Sequence, residues 1–599
     1  MLTNGDSYGY YSFLPMTFIH HDADDLSLST YYRTKNMKDH IDEDYTIKDM
    51  PDYWFTGVLV NGKRVIQYNC GVALLQLPFF FIGHVCAKVF GFSADGYSLP
   101  YRMCLLFGNL VYVMCGLLFI KKILRRYFDN ITVNLTLFVI MFTTNLYYFT
   151  AFSGFMAHSY LFFMYAFFIY AMIRFYETFS HTFLYLMGFI AGFIMLIRPP
   201  DIVILVLPFL FKLHNLHDIK TRFTLIWHNR IAILGAVVCF FIPFLPQFYY
   251  WKQQTGHWIF YLYDKVSFNF QKPEIVEGLT SFANGWLIYT PVMFFALCGL
   301  FLNRRSANVF SQRLLKVNDF RWAAVVFTFI YVYIIFSWPI RPFYINGFGC
   351  RPMVETYALL AYPLSIFIDF VHKNRVIMFI FTSILIFFTW LNVFQTYQMS
   401  RDIIVSENMN KAFWLSSFGK TTLDARDLAA YDSNEWQPNK PLNFKKSLYE
   451  NHFEDSINTH FTREIGVNGV FGYKIEPNSF FEGIHIKGAD GVQKNEWIKV
   501  SLRAMSHNNN IYDVYQKTRI VVQFTRGETD LKWRATQIEN KIANPKCNVY
   551  GGAWHVWDDV FFYVRVPSSF EATDALKVYL WSTNPKPLMI DDIKIELYK

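Results

Sequence analysis

A carboxylate near the start of the chain heads an aromatic stretch, Asn4-Gly5-Asp6-Ser7-Tyr8-Gly9-Tyr10-Tyr11. Asp6 is suited to take a proton from a hydroxyl, and a carboxylate beside a bilayer is costly unless something pairs with it or uses it. His20-His21-Asp22-Ala23-Asp24-Asp25 follows, and the carboxylates of Asp22 and Asp24, one residue apart, can share a divalent cation. Lys63 and Tyr68 precede an apolar stretch at 70–92, and His158 begins another apolar run. Arg198 closes a run just before Pro199-Pro200-Asp201, Lys272 lies in a loop over 247–285, and Arg341 and Arg351 flank a further loop. Arg and Lys hold phosphate through charge-assisted hydrogen bonds, so such a set can bind a lipid-linked phosphate while a carboxylate deprotonates a hydroxyl. The commoner roles are plainer. A single Lys or Arg at a membrane edge usually snorkels to the headgroups, a lone His is usually a packed polar residue, and an Asp-rich run such as 22–25 is usually a solvated turn.

The elements that must position these groups follow from composition. The chain has 599 residues, 53% apolar, 20% aromatic and 17% charged, against a usual charged share of about 25%. Disorder and disulfide-stapled mini-proteins are excluded, because the chain is too apolar for the first and its 8 cysteines are too dispersed for the second. No CxxC or Cys/His spacing suggests zinc, and Cys104, Cys115, Cys239 and Cys298 read as small core hydrophobes. The net charge of +9 reads as loop bias in a membrane protein rather than nucleic-acid binding.

Three regions are expected: residues 1–101, whose apolar stretch 70–92 is either a full span that leaves 1–69 cytoplasmic or an amphipathic or re-entrant helix along the outer interface, a transmembrane helical domain over 102–395, and a β-domain over 441–599 after a linker at 396–440. Ten apolar segments approach the length of a span: 102–120, 131–150, 155–173, 182–198, 200–213, 231–250, 285–303, 321–338, 354–371 and 376–394. One set of alternate loops carries sixteen Lys and Arg and the other six, so the richer set is cytoplasmic and the first helix runs inward. Ten spans then leave the C-terminal domain outside. Its segments at 497–502, 519–524, 561–566, 576–581 and 590–597 have the period-two pattern of strands, without intervening helices, and predict a jelly-roll-like all-β sandwich. Trp497, Trp533, Trp554, Trp557 and Trp581 are suited to stacking on sugar rings, but the sandwich core is their more ordinary place; Asp591-Asp592 reads as a turn. The spans carry few charges, which disfavours a proton or ion pathway.

The stretch NGDSYGYYSFLP (4–15) followed by HHDADDLSL resembles the first outer loop of the GT-C superfamily of integral-membrane glycosyltransferases, which use polyprenyl-phosphate-linked sugars. KRVIQYNCGVALLQLPFFFIGHVCAKVFGFSADGYSLPYR (63–102) resembles the periplasmic juxtamembrane helix, and the Arg opening the next span, of the bacterial aminoarabinose and protein mannosyl transferases. MAHSYLFF (156–163), LIRPPD (196–201), PQFYYWKQQTGHWIFYLYDKVSF (246–268), NGWLIYTP (284–291) and GFGCRPMVETYALLAYPL (347–364) continue the resemblance, which covers about 1–395. It implies a GT-C-like membrane domain of about ten spans, with 70–92 an external juxtamembrane element and 1–101 as a whole an external first loop with juxtamembrane helices. It implies a hexosyl or pentosyl transferase with Asp6 as catalytic base, and Arg198, Lys63, Lys272 and Arg351, in that order, as candidates for the donor phosphate. Tyr68, His158 and Arg102 are further candidates, and Asp22 and Asp24 the candidate ligands of a divalent cation that only some members bind. The implied partners are a lipid-linked sugar donor and a glycan, lipid or protein acceptor at the outer face of a bacterial inner membrane, with the β-domain periplasmic and no nucleic acid. Members have a spanning helix before the loop Asp. Either residues precede Met1 in the full protein, giving eleven spans, or this chain lacks that helix. Two readings compete: a non-catalytic scaffold presenting the β-domain to a cell-envelope complex, and a transporter of lipid-linked sugars.

Overall fold

The computed structural model describes residues 5–37, 57–213, 216–260, 268–302, 320–338, 347–401, 403–404, 409–423, 427, 430, 438, 441–453, 461–462, 472–476, 479, 484–487, 491–506, 517–542, 557–584 and 587–599. Two compact units emerge, Met1–Thr396 and Tyr397–Lys599.

In the first unit the apolar runs become helices. Among the described residues five are long and apolar enough to cross a membrane: Gly71–Val89, Leu99–Leu124, Ala157–Thr178, Arg230–Thr255 and Arg375–Ser400, the last running just past the unit's end. Five shorter apolar helices, Asn130–Phe142, His181–Ile197, Pro199–Leu210, Arg321–Phe336 and Tyr357–His372, occupy other expected segments. The remaining segment, 285–303, breaks at Thr290-Pro291 into Trp286–Tyr289 and Met293–Phe301, because proline lacks the N–H a continuous helix needs. Ala157–Thr178 is the central helix, 72% buried along its apolar window, whereas Arg375–Ser400 is only 22% buried. Exposed side chains on the outer helices, among them Ile231, Val238, Phe379 and Ile386, are apolar, as a lipid-facing surface requires. His181–Ile197 packs closely on Arg230–Phe241 because Gly188 and Gly192 face the carbonyls of Ala236 and Phe240 with no room for a Cβ, the small-residue contact that membrane helices use.

The first loop folds onto these helices. Tyr8 and Tyr11 are fully buried in an aromatic cluster with Phe80, Tyr97, Tyr101 and Tyr250. Asp95 accepts from the backbone of Tyr97 and Ser98 at 2.8 and 3.0 Å and from Asn36 at 2.9 Å, tying helix Ser27–Met37 to the head of Leu99–Leu124. A two-stranded ribbon, β1 (Val58–Val60) and β2 (Lys63–Val65), leads towards Gly71–Val89.

The second unit carries a sandwich of antiparallel strands: β3 (Phe444–Asn451), β4 (Phe461–Thr462), β5 (Gly472–Ile475), β6 (Ile484–Lys487), β7 (Trp497–Ser506), β8 (Thr518–Arg526), β9 (Thr529–Gln537), β10 (Asp558–Arg565), β11 (Ala575–Ser582) and β12 (Leu588–Tyr598). One sheet runs β10-β7-β12-β5-β4, with β3 also against β12; the other runs β6-β11-β8-β9. Ile520, Val522 and Phe524 of β8 and Leu576, Val578 and Leu580 of β11 share one core with Ile498, Val500 and Leu502 of β7 and Val560, Phe562 and Val564 of β10. The same alternation overturns the expectation that the tryptophans fill this core. Trp533 pairs with Gln523 and Trp581 with Arg519, positions on the outer face, and they are 41% and 39% exposed. Trp497 and Trp557 are part-buried outside the core cluster, and Trp554 lies outside the described residues. The turn expected at Asp591-Asp592 is instead a bulge within β12, where Asp592 takes a φ of 50° and its carboxylate meets His452 Nδ1 at 2.5 Å.

Candidate active site

Asp6 stands in the first turn of helix Gly5–Tyr11. The helix is anchored by its two buried tyrosines, and the Tyr11 hydroxyl donates to the Gly96 carbonyl. Asp6 Oδ1 accepts from the Tyr68 hydroxyl at 2.7 Å, and Oδ2 pairs with Arg351 Nη1 at 2.7 Å. Each partner is fixed from behind. The Ile66 N–H donates to the Tyr250 hydroxyl at 2.9 Å and the Cys70 N–H to Gln247 Oε1 at 2.7 Å, bracketing Tyr68. The Tyr68 ring lies over Gly9, where a Cβ would collide with it, and edge-on to Tyr10 at 4.9 Å. Arg351 opens a 3-10 turn, Arg351–Met353. The approach to that turn is held by Asn145, whose Nδ2 donates to the Phe348 carbonyl at 2.9 Å while its Oδ1 accepts from the Tyr357 hydroxyl at 2.7 Å.

A second cluster is built around Glu355, whose side chain is 0% exposed. Glu355 Oε2 meets His158 Nδ1 at 3.0 Å, so one proton lies between them. Its Oε1 accepts from Arg198 Nη1 and from the Tyr331 hydroxyl, the latter at 3.0 Å. Arg198 Nε also faces Asp201 Oδ2 at 3.8 Å, and Asp201 Oδ1 accepts from Tyr165 at 3.0 Å. Arg351 of the first cluster and Glu355 of the second stand four residues apart, across the turn Arg351–Met353, which sets the two clusters next to each other. Buried carboxylates and a guanidinium are tolerable only because each is paired and hydrogen-bonded.

Burial pushes the Asp6 carboxyl up, but the Arg351 charge, the Tyr68 hydroxyl and His158 outweigh it and hold it below the usual carboxylate range. Asp6 is therefore ionised, as an acceptor of protons must be.

The structure brings Asp6, Tyr68, Arg351, His158 and Arg198 together. It puts the other candidates elsewhere. Lys63 pairs with Asp24 at 3.0 Å, and Gln254 donates to the same Asp24 oxygen at 3.4 Å. Asp22 caps helix Ser27–Met37, accepting from the Ser29 N–H and hydroxyl, both at 2.7 Å. Among the described residues no group of three His, Cys, Asp or Glu side chains is placed to hold a metal ion. Arg102 donates to the carbonyls of Tyr97 and Asn36, at 2.9 and 2.7 Å. Lys272 lies in an exposed turn whose backbone bonds to Asn269. Glu355, Tyr331 and Tyr165 were not among the expected site residues. The available signal was a carboxylate at the head of an apolar run, four residues after Arg351, since a charge at such depth usually has a function.

No protein-family model and no curated protein matches the sequence. Among solved structures, the chain is similar to the Archaeoglobus fulgidus oligosaccharyltransferase tethered with an acceptor peptide, at 11% identity over 71% of this chain and 54% of that one, with a TM-score of 0.29. It thus spans about half the length of that enzyme. It is also similar to the Mycobacterium smegmatis arabinosyltransferase EmbB, at 10% identity over 96% of this chain and 67% of that one, with a TM-score of 0.28. A stretch covering 26% of the chain is similar to 96% of the xylan-binding CBM22-1 domain of Paenibacillus barcinonensis Xyn10C, at 16% identity and a TM-score of 0.18. The functional reading accordingly rests on the side chains of the site.

Proposed function

We propose that the protein is an integral-membrane glycosyltransferase of the GT-C type, taking a sugar from a polyprenyl-phosphate donor at the outer face of a bacterial inner membrane. The observation that carries this reading is the Asp6–Arg351 pair, a part-buried carboxylate and guanidinium 2.7 Å apart and steadied by Tyr68. Such a pair puts a base next to a phosphate-binding cation. The acceptor hydroxyl gives its proton to the Asp6 carboxylate while its oxygen bonds to the anomeric carbon. The bond from that carbon to the phosphate oxygen breaks, its electron pair leaves with polyprenyl phosphate, and the sugar inverts. Arg351 and Arg198 stabilise the charge gathering on the leaving phosphate. Lys63 and Lys272 are the remaining candidates for the donor headgroup. A divalent cation on Asp22 and Asp24 would compete with the Ser29 hydrogen bonds of the first and the Lys63 and Gln254 contacts of the second. The acceptor is a glycan, lipid or protein, and the sandwich is a candidate for selecting it.

The test is donor cleavage by the reconstituted full chain, offered a panel of radiolabelled polyprenyl-phosphate sugars. Wild type should release polyprenyl phosphate, and Asp6→Asn should lose at least about a hundredfold in rate, the usual weight of a general base. A parallel EDTA series reads metal dependence. Normal turnover by Asp6→Asn would remove Asp6 from its role, and no release from any donor would favour the scaffold reading.

A further inference from the structure

Arg351 and Arg198 are both beside carboxylates, but they are held differently. Arg198 is locked to Glu355, whose side chain is fully buried, and it also faces the fully buried Asp201. The Asp6–Arg351 pair retains some exposure on both partners, 20% and 14%. Exchange of anions at Arg351 therefore leaves a carboxylate that keeps some exposure and its Tyr68 hydrogen bond, whereas exchange at Arg198 would strip the main counter-charge from a fully buried one. The donor's phosphodiester offers a guanidinium the same single charge and two-oxygen geometry as a carboxylate, and the polyprenyl phosphate that leaves carries more charge still. Asp6 has a second holder, because the Tyr68 hydroxyl bonds its other oxygen.

We propose that the Asp6–Arg351 ion pair is an exchangeable latch: the donor phosphate takes Arg351 from Asp6, and the carboxylate, still held by Tyr68, is thereby released to act as base. This rests on the polyprenyl-phosphate reading above. The exchange gives the site an order. While Arg351 stays on Asp6 its charge keeps the carboxylate weakly basic, and once that charge is neutralised by phosphate the carboxylate becomes a stronger proton acceptor. Deprotonation of the acceptor is thus tied to a bound donor, and the acceptor is not activated without one.

If Asp6 competes with phosphate for Arg351, removing its charge must tighten phosphate binding, and only while Arg351 is present. The experiment measures binding of a short-chain polyprenyl phosphate to the detergent-solubilised full chain, with the corresponding polyprenol as the phosphate-free control. Asp6→Asn should bind the phosphate roughly three- to tenfold more tightly than wild type, a coupling typical of contacting charges. Arg351→Gln should bind more weakly, and Asp6→Asn should add nothing in the Arg351→Gln background. Polyprenol affinity should not follow this pattern. A gain in affinity cannot come from a misfolded chain. Unchanged or weaker binding by Asp6→Asn, or a gain that persists without Arg351, overturns the latch. If Asp6→Asn still abolishes sugar transfer in that case, the glycosyltransferase reading survives. If wild type neither binds the phosphate nor releases it from any donor, both fall.

Discussion

Asp6 works between opposing effects, and their balance can be titrated. Burial disfavours its ionised form while Arg351, Tyr68 and His158 favour it, and the second group prevails. A folded-state value below the unfolded one, about 3.9, means the pairing contributes stability that is fully present above that pH. The contribution is lost as pH falls through the folded value. Arg351→Gln removes the leading favourable charge and leaves burial dominant. The acid limb of the free enzyme should then move upward, read from kcat/KM against pH. Gly9→Ala tests the neighbouring support. An added Cβ would drive into the Tyr68 ring, which cannot yield without pulling its hydroxyl from Asp6. The expected result is a fall in transfer to the level of Tyr68→Phe, with a stability loss of about 1–3 kcal/mol by thermal unfolding. At this scale Asp6, Tyr68, His158, Arg198 and Arg351 were legible as residue types at apolar edges. Their partners were not, because Asp6 and Arg351 belong to segments far apart in the chain.

Elements meet at Glu355. Its carboxylate receives His158 from helix Ala157–Thr178, Arg198 from the end of His181–Ile197 and Tyr331 from Arg321–Phe336. Glu355→Ala would leave a buried guanidinium without its main counter-charge, and should cost roughly 3–5 kcal/mol in unfolding of the detergent-solubilised protein. Glu355→Gln retains the shape and part of the hydrogen bonding and should cost less. Strands were the more legible elements, since the five expected period-two segments fall on β7, β8, β10, β11 and β12, with Val566 one residue past the end of β10. Alternation also decides which face a side chain takes, and it was misjudged for the tryptophans because register with neighbouring strands, not residue type, selects the face. Helix lengths were less legible. A hydropathy run such as 285–303 is blind to the break that Pro291 imposes.

At the scale of the molecule, each unit buries an apolar core of its own. The sandwich core draws its described residues from both sheets. Residues 441–599 expressed alone should therefore fold, giving β-type circular dichroism and one cooperative thermal transition. A non-cooperative melt would mean that the sandwich depends on the rest of the chain.

The division into an apolar helical part and a β-rich part was determined by the sequence itself, because both hydropathy and the period of alternation are local properties of the chain. So was the presence, near apolar edges, of a carboxylate and several cations. Which cation meets which carboxylate was decided only by tertiary structure. Arg351 with Asp6, Arg198 and His158 with Glu355, and Lys63 with Asp24 are pairings across long stretches of chain. Electrostatic pairing depends on distance in space and on burial, and neither is set until the helices have packed.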